Sequence, residues 1–220
     1  MKNVRTIGVL GLGLFGTSVA RTLARGNVDV IAMDMNMDHV EEVVNEVAVA
    51  VQGDFTKLDQ LAEAGFGDCD EIIIASAERL ENSILAILNL KKLNIDNITV
   101  KTKNKEYREV LLKVGATRVI LPEVEMGVQV GNMLANPSVH ELMALDNLYN
   151  IIEFPANPRW FGKTIIEINF RSNYDINIIA VKPANSTDFT IEFKPSYVVA
   201  KGDIFIGVTT DEGHQKLLKP

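Results

Sequence analysis

A chain of 220 residues has room for one large or two small domains with a real core, and 47% hydrophobic against 23% charged residues marks a folded globular protein rather than a disordered one. A formal net charge of −7 and a pI near 5.1 exclude a protein that coats nucleic acid or anionic lipid, since both need a basic face. The single cysteine, Cys69, excludes an internal disulfide and suits a reducing cytoplasm.

Lys2 and Arg5 precede an apolar run in the manner of a signal peptide, but glycines break that run, so no targeting segment is expected. No stretch approaches the roughly 18 uncharged apolar residues that span a bilayer, so no direct membrane insertion is expected either. Short apolar runs occur at 6–10, 28–34, 47–51, 71–75, 98–102 and 118–122. Between them apolar residues recur at helical spacing, as in Val40, Val43, Val44 and Val47, or Leu80, Ile84, Leu88 and Leu93. Six strand–helix units in series predict an α/β fold, a doubly wound parallel sheet of Rossmann type, because each parallel strand needs a crossover. Its last helix is predicted over 123–135.

Asn136-Pro137-Ser138 interrupts this pattern, since proline cannot continue a helix and restricts the residue before it. The domains are therefore expected at 1–137 and 138–220. In the second, strands are predicted at 150–154, 176–182, 190–193 and 203–209, a short helix at 163–170 and a closing helix at 211–218. This is a small α+β module, too small to be very stable alone, and dimerisation through it is expected.

The chemistry concentrates in the first domain. Gly11-x-Gly13-x-x-Gly16 ends the first strand and Asp34 ends the second, which is the dinucleotide-binding fingerprint in its full context. Gly11 permits the tight turn, Gly13 lets the backbone approach a pyrophosphate, and Gly16 lets the helix lie close on the sheet. Leu12, Leu14 and Phe15 fill the intervening positions and Met35 follows Asp34, so all are expected around the nucleotide. Asp34 would accept hydrogen bonds from ribose hydroxyls and repel a 2′-phosphate.

The other strand ends add candidates on the same rim. Asp54 and Phe55 follow the third strand, beside the adenine position, with Asp54 equally suited to cap a helix. Ala75 and Ser76 end the fourth strand. Lys101 ends the fifth, either reaching a phosphate or standing in solvent. Glu123 opens the last helix, favoured there by the helix dipole or serving as a ligand to Mg²⁺ or Ca²⁺. The histidines at 39, 140 and 214 fall in a helix start, a linker and the terminal helix, so no proton donor for hydride transfer is expected near the strand ends. The chain thus reads as a nucleotide binder rather than an enzyme, with an NAD-dependent oxidoreductase as the alternative.

The ordered set GLGLFG, Asp34, GDFT, IIIAS, VKTKN and LPEVEMG, together with the later INFRSNYDINIIAVK, resembles the cytoplasmic regulator-of-K⁺-conductance (RCK) family, and within it the KtrA/TrkA-type subunits of bacterial potassium transporters. The resemblance implies an RCK-N nucleotide domain and an RCK-C domain. It also implies dimers assembled into an octameric ring beneath a membrane-embedded K⁺ transporter, and a nucleotide, ATP/ADP or NAD(H), that governs the ring's shape. It makes Glu123 the divalent-cation candidate. It places Ile165, Phe170, Arg171, Ile176, Asn177, Ile178 and Pro195 around a pocket for cyclic di-AMP at a dimer interface, although the apolar members also suit a core. Many ATP-gated relatives carry arginine where this chain has Leu14, which leaves the choice between ATP/ADP and NAD(H) open.

Overall fold

The computed structural model describes residues 4–76, 79–135, 140–146 and 148–218. The chain divides into two compact units, Met1–Glu125 and Met126–Pro220. The division falls inside a helix, while the expected break at 136–138 lies outside the described residues.

In the first unit the elements run β1 (Thr6–Leu10), α1 (Leu14–Arg25), β2 (Asp29–Asp34), α2 (Met37–Glu41), β3 (Val49–Gln52), α3 (Leu58–Glu63), β4 (Glu71–Ile74), α4 (Leu80–Lys92), β5 (Ile98–Lys101), α5 (Tyr107–Val114) and β6 (Arg118–Ile120). The strands form one parallel sheet ordered β3-β2-β1-β4-β5-β6. Alternate residues face opposite sides. Leu10, Met33, Ile72, Ile74 and Ile98 pack with Leu61, Ile87, Leu90 and Leu111 from α3, α4 and α5. Val9, Val30 and Ala32 pack instead with Ala20 of α1 and Val40 of α2. Burial on both faces explains why these strands read as nearly unbroken apolar runs. The order reverses between β1 and β4, and such a switch point opens a crevice at the carboxyl ends of the strands.

The helix α6 (Pro122–Ala135) leads out of this sheet. Beyond it come β7 (His140–Ala144), β8 (Tyr149–Pro155), α7 (Ile165–Ile168), α8 (Phe170–Tyr174), β9 (Ile176–Lys182), β10 (Ile204–Thr210) and α9 (Asp211–Leu218). The four strands form an antiparallel sheet ordered β7-β8-β10-β9. Its core is aromatic: Trp160 meets Phe170 edge-on at 4.9 Å between centroids, and the rings of Phe154 and Phe205 lie 5.9 Å apart, tilted by 31°.

Three expectations change here. The stretch read as a linker contains β7, in which backbone pairing with β8 overrides a sequence, HELMA, that has no β-branched residue. The strand at 190–193 does not form. Only Thr190 pairs, with Val181, and its hydroxyl then takes the Glu192 amide at 3.1 Å, turning the chain away. The helix expected over 163–170 is two helices, broken at Asn169, which adopts the left-handed conformation at φ 50° that asparagine tolerates. No helix among the described residues is long and apolar enough to cross a membrane.

Candidate functional site

A cavity of about 400 Å³ lies at the carboxyl ends of the parallel strands. Its floor is backbone. Gly11 leaves β1 with φ +94°, and its amide donates to the Met33 carbonyl at 2.8 Å. A Cβ on Gly16 would stand 1.9 Å from the Gly11 carbonyl oxygen, so no other residue lets α1 start this close to the turn. A Cβ on Gly13 would meet nothing within 4 Å. That position therefore faces space a ligand could take. Gly13 caps α1 with no side-chain hydrogen bond, leaving the first-turn N–H groups at the positive end of the helix dipole.

Asp34 closes the neighbouring wall. One carboxylate oxygen accepts from the Leu12 amide at 2.6 Å and the other from the Asn36 amide at 2.8 Å. The carboxylate thus ties the glycine turn to the end of β2 and keeps lone pairs for hydroxyl donors. The His39 Nδ1 lies 3.4 Å from Asp34. This corrects the expectation that no histidine approaches the strand ends. The imidazole sits beside the acidic residue on the β2 side, brought there by α2, whose first turn is capped by the Asn36 side chain.

Of the residues expected around a nucleotide, Gly11, Gly13, Asp34, Met35, Phe55, Ala75, Ser76 and Lys101 line this cavity. Others do not. Leu12 is buried in the core, while Leu14 is 95% exposed. Phe15 lines a separate cleft with Val19 and Leu23, its ring 5.1 Å from the Lys101 ammonium. Gly16 packs beneath the turn. The Asp54 carboxylate bends into its own loop, accepting from the Thr56 amide at 2.9 Å and the Thr56 hydroxyl at 2.6 Å. Burial opposes its ionisation, but those two donors hold its carboxyl below the usual range. It shapes the loop that presents Phe55 and does not reach the cavity. Nor does it cap α3, whose N-cap is Lys57. Asn36, His39, Asn82 and Lys103 line the cavity although no sequence signal marks them. Lys103 falls inside the VKTKN run, but nothing in that run singles it out over Lys101, and Asn36, His39 and Asn82 stand in no motif; the fold brings all four to the rim.

Lys101 is the deepest cation of this rim, with its side chain 11% exposed, and its ammonium lies 2.8 Å from Glu123. That bond holds the Glu123 carboxyl below the usual range, with Lys103 adding to the effect. The residues present do not assemble a divalent-cation site: an ammonium occupies Glu123, and the described residues hold no group of three or more metal-ligating side chains. Cys69 is inert, since burial pushes its thiol up to about 12, with Asp68 and Asp70 adding to the rise.

The second unit carries a cavity of about 390 Å³ between α7, α8 and β9. Thr164 and Glu167 form a capping box that starts α7. Arg171 on α8 donates through Nε to the Asn177 side-chain oxygen at 2.8 Å. Ile165, Phe170, Arg171, Ile176, Asn177 and Ile178 come together as expected. Pro195 does not line the cavity and only offers its carbonyl to the Ile166 amide at 3.1 Å. Phe170 and Ile176 are themselves buried in the unit's core, so only one edge of each is available.

Comparison with known proteins agrees with this architecture. The TrkA-N domain model matches residues 7–122 and the TrkA-C domain model matches residues 151–219. The chain is 33% identical over 209 residues to Ktr system potassium uptake protein C of Bacillus subtilis, covering 94% of each. It is 32% identical to Ktr system potassium uptake protein A of the same organism, covering 98% of this chain and 94% of that one. Among solved structures, the GsuK channel superposes with a TM-score of 0.66 at 19% identity, over 98% of this chain and 39% of that chain.

Proposed function

The chain belongs to the TrkA-type family of potassium uptake proteins, and on that premise we propose that it is the nucleotide-sensing regulatory subunit of a K⁺ uptake system. The observation that carries this reading is the strand-end cavity. There, a glycine turn leaves open space over Gly13 beside the uncapped start of α1, and Asp34 stands where ribose hydroxyls would donate. Adenine nucleotide, ATP/ADP or NAD(H), is the ligand whose parts fit that order. An oxidoreductase is not favoured: the relatives are uptake proteins, and the cavity's imidazole faces Asp34 on the ribose side.

The membrane-embedded partner would be the K⁺ transporter itself, with this chain held at its cytoplasmic face by assembly rather than insertion. A homodimer built into an octameric ring is the arrangement proposed. Met126, Val130 and Leu134 support it, being exposed at four-residue spacing along α6. The second cavity is proposed to hold cyclic di-AMP, since an arginine among apolar residues offers charge for phosphate and faces for adenine. Calorimetric titration of the full chain with ATP, ADP, NAD⁺, NADH and cyclic di-AMP tests both sites. Binding of at least one adenine nucleotide is expected, and binding of none would remove the sensing role.

A further inference from the structure

The short helix α8, which carries Arg171 of the second cavity, hangs between two left-handed residues. Asn169 opens it at φ 50° and Asp175 closes it at φ 56°. Both lie where L residues go at a cost, which asparagine and aspartate bear better than most. These two positions set the direction of α8, the first against α7 and the second against β9. Arg171 stands on α8 and Asn177 on β9, so the 2.8 Å bond between them closes only while the corner at Asp175 keeps its shape.

The two corners are held in different ways. The Asn169 corner is held from within: its amide donates to the Ile165 carbonyl at 3.1 Å, and the Asn173 side chain donates to the Ile168 carbonyl at 2.8 Å. The Asp175 corner is held from outside. The Thr209 hydroxyl of β10 donates to the Asp175 carbonyl at 3.1 Å, and the Lys216 ammonium of α9 pairs with the Asp175 carboxylate. Gly213 seats α9 directly on the corner, since a Cβ there would stand 2.7 Å from the Tyr174 carbonyl oxygen and 3.2 Å from the Asp175 Cβ. The Thr210 hydroxyl accepts from the Gly213 amide at 3.2 Å and fixes the helix start at the same place. On the far side of this corner, Ile176 and Asn177 line the cavity, while Gly213, Lys216 and Asp175 do not. The Lys216 and Asp175 side chains are 42% and 46% exposed, so the pair can be removed without opening the aromatic core.

Resting on the ligand reading of the second cavity above, we infer that α9 sets that cavity's affinity by holding Asp175 in its left-handed conformation. Lys216 and Gly213 are thus positioning residues for the Arg171–Asn177 pair, acting through the corner between α8 and β9. When α9 lifts, Asp175 loses its charge partner and relaxes toward the ordinary backbone region. The corner then opens, and Arg171 swings away from Asn177. The coupling is reciprocal: a ligand that clamps Arg171 to β9 holds α9 down by the same factor by which a docked α9 raises the ligand's affinity.

The test is titration of the full chain with cyclic di-AMP, for the unaltered protein, Lys216→Ala, Lys216→Arg and Lys216→Ala combined with Asp175→Gly. Lys216→Ala is expected to weaken binding about threefold, the scale of one half-exposed ion pair, and Lys216→Arg to leave it unchanged. Adding Asp175→Gly should restore the affinity, because glycine takes the left-handed conformation without a partner. A role of Lys216 in packing alone would not be rescued in this way. Amide hydrogen exchange in α9 should slow when cyclic di-AMP is added to the unaltered chain, although the helix does not touch the cavity. Unchanged affinity in Lys216→Ala, a loss that Asp175→Gly does not restore, or α9 exchange indifferent to the ligand overturns the inference while binding at the second cavity stands. Failure of cyclic di-AMP to bind the unaltered chain removes both.

Discussion

The two cavities are nearly equal in size, about 400 and 390 Å³, yet they are made of different material. The first is cut from backbone: a turn that needs glycine at positions 11 and 16, and strand ends presenting amides and short polar groups. The second is assembled from side chains, an arginine bonded to an asparagine among isoleucines and a phenylalanine edge. A backbone site fails when the chain path changes. A side-chain site fails when a single group is removed and the path survives. That contrast is testable residue by residue.

The largest effect is expected at Gly16. In Gly16→Ala the new methyl would lie 1.9 Å from the Gly11 carbonyl oxygen, so the turn or α1 must shift. A stability loss of about 3 kcal/mol in urea denaturation is expected, with nucleotide binding lost as well. Gly13→Ala is the companion: its methyl meets nothing within 4 Å, so stability should stay within about 1 kcal/mol while nucleotide affinity drops. Equal denaturation midpoints for the two variants would break the claim that the first site is built from backbone.

Arg171→Ala is next. It removes the charge of the second cavity and leaves the Asn177 amide exposed, without touching the aromatic core. Loss of a charge-assisted phosphate contact should weaken cyclic di-AMP by about 2 kcal/mol, roughly thirtyfold. Titration with adenine nucleotide should be unaltered, since the first cavity is built wholly within the other unit. A parallel loss of both ligands would mean that the cavities are not separate sites.

Asp34→Ala should cost about 1.4 kcal/mol in nucleotide affinity, one charge-assisted hydrogen bond's worth, or tenfold by calorimetry. Because Asp34 also accepts from the Leu12 and Asn36 amides, the free protein should lose stability too. Asp34→Asn separates the roles, since an amide oxygen can still receive one of those two donors. Affinity lost in Asp34→Asn with stability retained would locate the effect at the ligand; affinity retained in both variants would remove the ribose role.

The same contrast explains how much can be read from sequence. Backbone sites need particular residues at particular spacings, so Gly11, Gly13, Gly16 and Asp34 are visible as a motif with a mechanism. The parallel sheet is equally visible, because strands buried on both faces leave unbroken apolar runs. His39, Asn82 and Lys103 are not, since each comes from a different loop or helix and only the order β2-β1-β4-β5 gathers them. Asp54 misleads because a carboxylate two residues before a threonine amide finds a local partner before a distant ligand. The second cavity is legible only through family resemblance, as nothing in the spacing of Ile165, Arg171 and Asn177 marks a site. Its sheet is the least legible part: β7 has helix-forming residues, and the segment at 190–193 has strand-forming ones that a single bridge to Val181 does not extend.

The smallest effect expected is a titration in the second unit. Burial, and then the hydrogen bond its hydroxyl donates to Asp203 at 2.9 Å, push Tyr197 up to about 12. An unfolded tyrosine titrates near ~10. The folded state therefore holds the proton more tightly, so this contribution to stability is full below pH ~10 and is lost as pH rises through about 12. Tyr197→Phe removes the titration but leaves Asp203 its bonds from the Ala200 and Ala184 amides, at 2.8 and 3.0 Å. The variant should be about 1 kcal/mol less stable near neutrality, having lost one hydrogen bond, and should lose less on going to high pH. Cys69, in the first unit, titrates in the same alkaline range, so the measurement is the difference between the two proteins' urea midpoints from pH ~9 to about 12. The two curves should converge as pH rises. Parallel curves would show that the Tyr197 hydroxyl carries no linked stability.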